Sequence, residues 1–146
     1  MEDGAVLRIV FPYIEVGLPV GAGADRVWTL LTDTSRWVEW GPSIRDVEST
    51  ERFLTAHSSG RVRTVLGFTA PFAVTRFEPG RTWSWRVLGI PATTHTVESL
   101  GANRSLLLFG VPLIAFPYLL VCLAAMKRIR SLAERDSDPT HRAGLS

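Results

Sequence analysis

Between Ser43 and Val111 the chain is cut into short extended runs by turn residues, and this punctuation constrains the fold more than any other feature. The runs are 43–50 (SIRDVEST), 58–68 (SSGRVRTVLGF), 72–78 (FAVTRFE), 81–89 (RTWSWRVLG), 93–100 (TTHTVESL) and 104–111 (RSLLLFGV). Pro71, Pro79-Gly80, Pro91 and Gly101-Ala102-Asn103 separate the later ones. Short segments rich in Val, Thr, Phe and Trp and bounded by Pro and Gly read as strands. Tight turns between successive strands make them antiparallel neighbours, so the centre of the chain is predicted to be a meander of six strands.

The two ends read differently. Residues 8–20 (RIVFPYIEVGLPV) are predicted to form one strand, because Ile14, Val16, Leu18 and Val20 alternate with Tyr13, Glu15, Gly17 and Pro19. Asp25 then stands where a helix cap belongs, ahead of RVWTLL, and this helix ends near Asp33. A second helical turn, SRWVEW, must stop at Gly41-Pro42, since proline disfavours helix in the residue before it. After Pro117 the pattern becomes helical again. YLLVCLAAM is apolar all round, and KRIRSLAER narrows to a stripe of Ile129, Leu132 and Ala133. The predicted class is α+β: a seven-stranded antiparallel sheet wrapped around a long C-terminal helix, with two short helices after the first strand. Such a sheet buries one face under the helix, and a gap between the two layers is a natural place for a ligand.

A chain of 146 residues suits one domain, placed at 1–135, with 136–146 (DSDPTHRAGLS) as a disordered polar tail. Ser105 to Met126 carries no charge and is long enough to cross a bilayer, but Gly110, Pro112 and Pro117 interrupt it. Strand, junction and helix is the preferred reading of that run. The net charge is +2, and the basic residues are scattered, which disfavours nucleic-acid binding. Cys122 is alone, so it reads as a buried inert thiol, and disulfides and cysteine metal clusters are excluded. His57, His95 and His141 are too dispersed for a metal site, and no cofactor is expected. With no basic n-region at the N-terminus, the expected location is the cytoplasm. Phosphate loops with a lysine, nucleophile elbows and paired-histidine metal motifs are absent.

The candidate site residues are mostly aromatic. Trp28 is read as core between helix and sheet. Trp37 and Trp40 lie three apart on a helical turn, so they share a face and either close the mouth of a cavity or fill the core. Trp83 and Trp85 share a strand face with Val87, opposite Ser84 and Arg86. Indoles offer broad apolar area and one N–H donor, which suits a hydrophobic ligand with few polar atoms. Phe68 shares a face with Val62, Thr64 and Leu66, and Phe72 shares one with Val74, Arg76 and Glu78. Arg76 is therefore a candidate anchor for a carbonyl or carboxylate, with a solvated pair to Glu78 as the alternative. His95 shares a face with Val97 and is the candidate proton carrier or ligand donor, with a structural role as its alternative. Tyr118 begins the last helix, where its hydroxyl reaches toward the cavity. Arg61 and Arg63 are read as solvent residues.

The order of elements and several motifs resemble the helix-grip fold of the START-like superfamily. VGAGADRVWTLLTD is similar to its strand-to-helix opening, through Val20, Ala22, Val27, Trp28 and Asp33. WVEWGPSI resembles its second short helix, through Trp40, Pro42 and Ile44. VTRFEPGRTWSWR resembles its central hairpin, through Val74, Thr75, Pro79, Gly80, Trp83 and Trp85, and His95 opens a later strand as in many members. The resemblance spans about residues 8–135 and leans toward the polyketide cyclase/dehydrase-like branch. It implies a small hydrophobic ligand, such as a lipid or polyketide, held between sheet and C-terminal helix. The enzymatic alternative is a cyclase, aromatase or dehydratase with His95 as first suspect and Arg76 as anchor, although the superfamily has no shared catalytic residue. A third alternative is an interaction or membrane-associated protein that uses the apolar helix at 118–126. Monomer and homodimer both remain open.

Overall fold

The computed structural model describes residues 4–137 of the chain. Eight strands form one antiparallel sheet: β1 (Val6–Val10), β2 (Tyr13–Val20), β3 (Ile44–Ser49), β4 (Ser59–Thr64), β5 (Thr69–Glu78), β6 (Thr82–Val87), β7 (Ile90–Gly101) and β8 (Arg104–Pro112). Helices α1 (Ala24–Thr32) and α2 (Trp37–Trp40) lie between β2 and β3, joined by a 3₁₀ turn at Thr34–Arg36. Helix α3 (Leu119–Ser137) follows a 3₁₀ stretch at Leu113–Tyr118. The spatial strand order is β1-β2-β8-β7-β6-β5-β4-β3. The meander thus folds back so that β8, the last strand, lies beside β2.

The expected strand over 8–20 is two strands. Phe11-Pro12 forms a two-residue turn, and β1 folds back on β2 with Val10 opposite Tyr13. Proline lacks the N–H that a ladder needs and marks an edge or a turn rather than a strand centre. This hairpin makes the sheet eight-stranded rather than seven-stranded. Downstream, the alternation in β2 holds, with Ile14, Val16, Leu18 and Val20 all buried.

The inner face of the sheet packs on one stripe of α3. Cys122, Ala125, Met126, Ile129, Leu132 and Ala133 recur at helical spacing and are buried against β2 and β8. The start of α3 is amphipathic rather than apolar all round, since Leu120 faces outward and is exposed. The uncharged run from 105 to 126 resolves into strand, 3₁₀ turns and helix, and no helix among the described residues is long and apolar enough to cross a membrane. Helix α1 begins at Gly23 without a side-chain cap, and Asp25 sits in the first turn, where its charge complements the helix dipole. The tail assigned to 136–146 lies, beyond Ser137, outside the described residues.

Two irregularities shape the far edge of the sheet. At Gly60 the chain passes so close to β3 that an added Cβ would lie 1.9 Å from the Glu48 carbonyl oxygen, so only glycine fits. Asp33, which closes α1, accepts bonds from the Ser35 amide and hydroxyl and a two-pronged contact from Arg52, at 3.0 Å on each arm. That clasp ties the β3–β4 loop to the junction between α1 and α2. Burial alone would raise the Asp33 carboxyl, but Arg52 and Ser35 outweigh it and hold its pKa below the ordinary value.

Candidate functional site

The inner face of the sheet is packed solid at one end and hollow at the other. The hollow is a cavity of about 370 Å3 between β4–β8, the α2–β3 junction and the first turns of α3. Its walls are Trp40, Pro42, Ile44, Val62, Phe68, Trp85, Val87, Phe109, Val111, Cys122 and Ala125, among others. Polar character comes from Ser43, Thr64, Thr93, His95 and Tyr118, and no carboxylate, lysine or arginine lines it among the described residues. Several of its wall positions are small, among them Ala70 on β5, Ala92 on β7 and Ala125 on α3.

The solid end is an aromatic cluster. Trp37 is fully buried, stacks face to face on Trp83 at 5.5 Å between ring centroids, and meets Trp85 edge-on at 5.4 Å. Phe72 touches both Trp37 and Trp85. Trp40 leans edge-on against Phe109, and both stand on the cavity wall, as does Trp85 from the cluster. Both α2 indoles are satisfied locally: Trp37 Nε1–H donates to the Leu31 carbonyl and Trp40 Nε1–H to the Leu30 carbonyl, at 3.0 and 2.9 Å. These two bonds fasten the short helix to the C-terminal end of α1.

At the boundary lies a hydrogen-bond chain. Trp85 Nε1–H donates to Thr93 Oγ1 at 2.8 Å, the Thr93 hydroxyl donates to His95 Nε2 at 2.9 Å, and His95 Nδ1–H donates to the Trp83 carbonyl at 3.2 Å. The directions follow from the partners, because an indole N–H only donates and a carbonyl only accepts. His95 also stacks on Trp83 at 3.8 Å. Burial pushes its pKa down to about 3, against an opposing contribution from the Trp83 carbonyl, so the ring is neutral at pH 7. Burial pushes the Cys122 thiol up to about 12, which leaves it an apolar wall group.

No protein-family model matches the chain, and no curated protein matches it in sequence. Solved structures do match. The ZhuI aromatase/cyclase from Streptomyces sp. R1128 aligns with a TM-score of 0.69 at 18% identity, over 92% of this chain and 98% of that one. A START superfamily protein from Mycobacterium smegmatis gives a TM-score of 0.67 at 13% identity, over 86% and 99%. A conserved protein of unknown function from Enterococcus faecalis gives 0.64 at 15%, over 92% and 80%. The fold is the START-like helix grip.

Within the grip, the nominated residues divide into three sets. Trp40, Phe68, Trp85, His95 and Tyr118 stand on the cavity wall. Trp37, Phe72 and Trp83 lie behind it in the aromatic cluster and are at most 3% exposed. Arg76 is on the opposite face of the sheet. A bulge between Val74 and Arg76 in β5 breaks the alternation, so Phe77 turns inward onto Trp28, and Arg76 turns outward beside Glu15 and Ser84 and pairs with Glu78. Phe68 departs from its assigned face too: β4 ends at Thr64, residues 65–68 form a turn, and Leu66 is exposed while Phe68 reaches the cavity from its rim. The sequence offered no sign of Val87, Phe109, Val111 or Cys122 as wall residues, because an apolar side chain at a strand or helix position looks the same whether it meets a neighbour or a void. No group of His, Cys, Asp and Glu among the described residues is placed to hold a metal, and His141 lies outside them.

Proposed function

We propose that this helix grip binds one small, uncharged, largely apolar molecule in the cavity between sheet and α3. The carrying observation is the cavity itself: about 370 Å3, walled mostly by apolar side chains with a few hydroxyls and no charged side chain among the described residues. Ligand cavities run from about 300 to 1,000 Å3, so this one suits a single chain or a compact ring system. Removal of apolar area from water drives such binding, at roughly 25 cal/mol per Å2 before ordering costs. An ionised head group inside the cavity would lack a counter-charge, and desolvation would penalise it heavily. The hydroxyls of Ser43, Thr64 and Tyr118 supply the orienting contacts.

Binding is favoured over catalysis by the state of His95. A proton carrier at neutral pH needs a pKa near 7 and a free nitrogen, whereas both His95 nitrogens are engaged inside the fold and its pKa is far lower. Arg76, the other enzymatic suspect, does not face the cavity. Titration with Nile red, a neutral fluorescent probe, tests the reading. Saturable binding that Val87→Phe weakens about tenfold or more is the expected result, together with a neutral co-purifying mass in native mass spectrometry. Absence of saturable binding to Nile red and to neutral lipid or polyketide probes would overturn it.

A further inference from the structure

The antiparallel order gathers the β1–β2 turn, the β4–β5 turn, the β6–β7 turn and the β8–α3 junction at one end of the sheet. Hydrogen bonds hold them side by side: Leu113 N–H donates to the Pro12 carbonyl at 2.9 Å, Val65 N–H to Ser43 at 3.1 Å, and Leu88 N–H to Pro71 at 2.9 Å. Each connection carries an apolar residue outward. Ile114 is 95% exposed, Phe11 and Leu66 83%, and Leu120 77%. Loop tips are ordinarily polar, so this convergence needs a cause.

The β6–β7 turn sharpens the point. Leu88 has φ of 56° and Gly89 has φ of 75°, a pair of left-handed positions that favour Asn-Gly. Leucine in that conformation is strained, and more than half of its side chain, 56%, is nevertheless left exposed. The same end is the mouth of the cavity, since Phe68, Leu88, Pro91 and Tyr118 line both. Around it, on the outer face of the sheet, stand the exposed Arg45, Arg63 and Arg86, none of them in an ion pair among the described residues.

We infer that this end of the molecule docks on an anionic lipid bilayer, with Phe11, Leu66, Leu88, Ile114 and Leu120 entering the headgroup boundary and Arg45, Arg63 and Arg86 resting on lipid phosphates. Converging apolar tips flanked on the β3–β6 side by arginines match that boundary, where side chains insert about 5–10 Å and basic residues meet negative charge. A second copy is a poorer occupant, because a two-fold contact would bring the same arginines against themselves. Docking rests on the surface alone, but its use, exchange of an apolar ligand between bilayer and cavity without passage through water, rests on the binding reading above.

Flotation with vesicles of phosphatidylcholine plus phosphatidylglycerol tests it, with pure phosphatidylcholine as control. The full chain is expected to float with the anionic vesicles and to lose most of that partition in high salt. Leu66→Asp/Ile114→Asp is expected to cut partition at least about tenfold while circular dichroism and Nile red binding stay unchanged. Arg63→Gln/Arg86→Gln is expected to cost roughly fivefold per arginine at low salt, and decides the matter if the aspartate variant misfolds. Three results would overturn the inference: no flotation with either vesicle, flotation indifferent to both variants, or a dimer by light scattering that the aspartate variant splits without any vesicle binding. Nile red binding is read without vesicles, so failure of docking and failure of the cavity reading are separate outcomes.

Discussion

The two ends of the helix grip use the same sheet and the same helix, yet one is filled and the other hollow. At the filled end, Trp37, Phe72, Trp83, Trp85 and His95 occupy the space between layers and satisfy most of their polar atoms against one another or the backbone. At the hollow end, Ala70, Ala92 and Ala125 stand where larger side chains would close the gap. The difference teaches that stability and cavity are divided by position: the aromatic cluster holds the layers at a fixed spacing, and the cavity persists because that spacing is set elsewhere.

The division is broken most directly by removing its strut. Trp37→Ala is expected to cost roughly 3–5 kcal/mol in denaturant unfolding, because the residue is wholly buried and stacked. Next comes His95. Its folded pKa lies below its unfolded one, so its neutral form stabilises the fold fully above about pH 6.5, and this contribution is lost as pH falls toward 3. Within that window the wild type should lose stability by up to about 1.4 kcal/mol per pH unit, while His95→Gln should show a shallower slope over the same range in pH-resolved thermal melts. Asp33→Asn should cost about 1–3 kcal/mol at pH 7, since it weakens the Arg52 clasp at a buried carboxyl. As the Asp33 pKa is depressed, the wild-type advantage is present above about pH 4 and fades below it.

At the hollow end the expectation reverses. Val87→Phe should change stability by no more than about 1 kcal/mol, because the cavity accepts the added ring, yet should weaken Nile red binding about tenfold or more. The smallest effect is expected on the outer face, where Arg76→Ala should stay within about 0.5 kcal/mol and leave probe binding intact.

How far the sequence could be read follows the same geography. Alternation located the buried residues of β2 and put His95 and Val97 on one face, which the structure buries, since a regular strand has a strict period of two. It failed at Phe11-Pro12, where the alternation continues in letters while the chain reverses. It failed again at Arg76, because a bulge adds one residue without any mark in composition. Helical spacing put Trp37 and Trp40 on one face, which is correct, but not which would fill the core and which would wall the cavity. The void itself was invisible, because a gap between layers depends on how distant residues are brought together rather than on any residue alone. The order of the meander and the closing helix, set by turns and periodicity, was legible, and the resemblance supplied the helix grip; the extra strand at the N-terminal hairpin was not seen.

The pairing of β2 with β8 has a consequence for how the molecule is made. Val16 lies beside Phe109 and Ile14 beside Val111, so this part of the sheet joins residues far apart in the chain. Such contacts demand closure of a long loop before they return any stabilisation, and proteins dominated by them fold slowly. During synthesis the hairpins from β3 to β7 can pair as they emerge, but β2 must wait, with its apolar face uncovered, until β8 and α3 leave the ribosome. Phe109, Val111 and Cys122, which wall the cavity, belong to β8 and α3, so the cavity wall is completed only after the hairpins of the meander have formed.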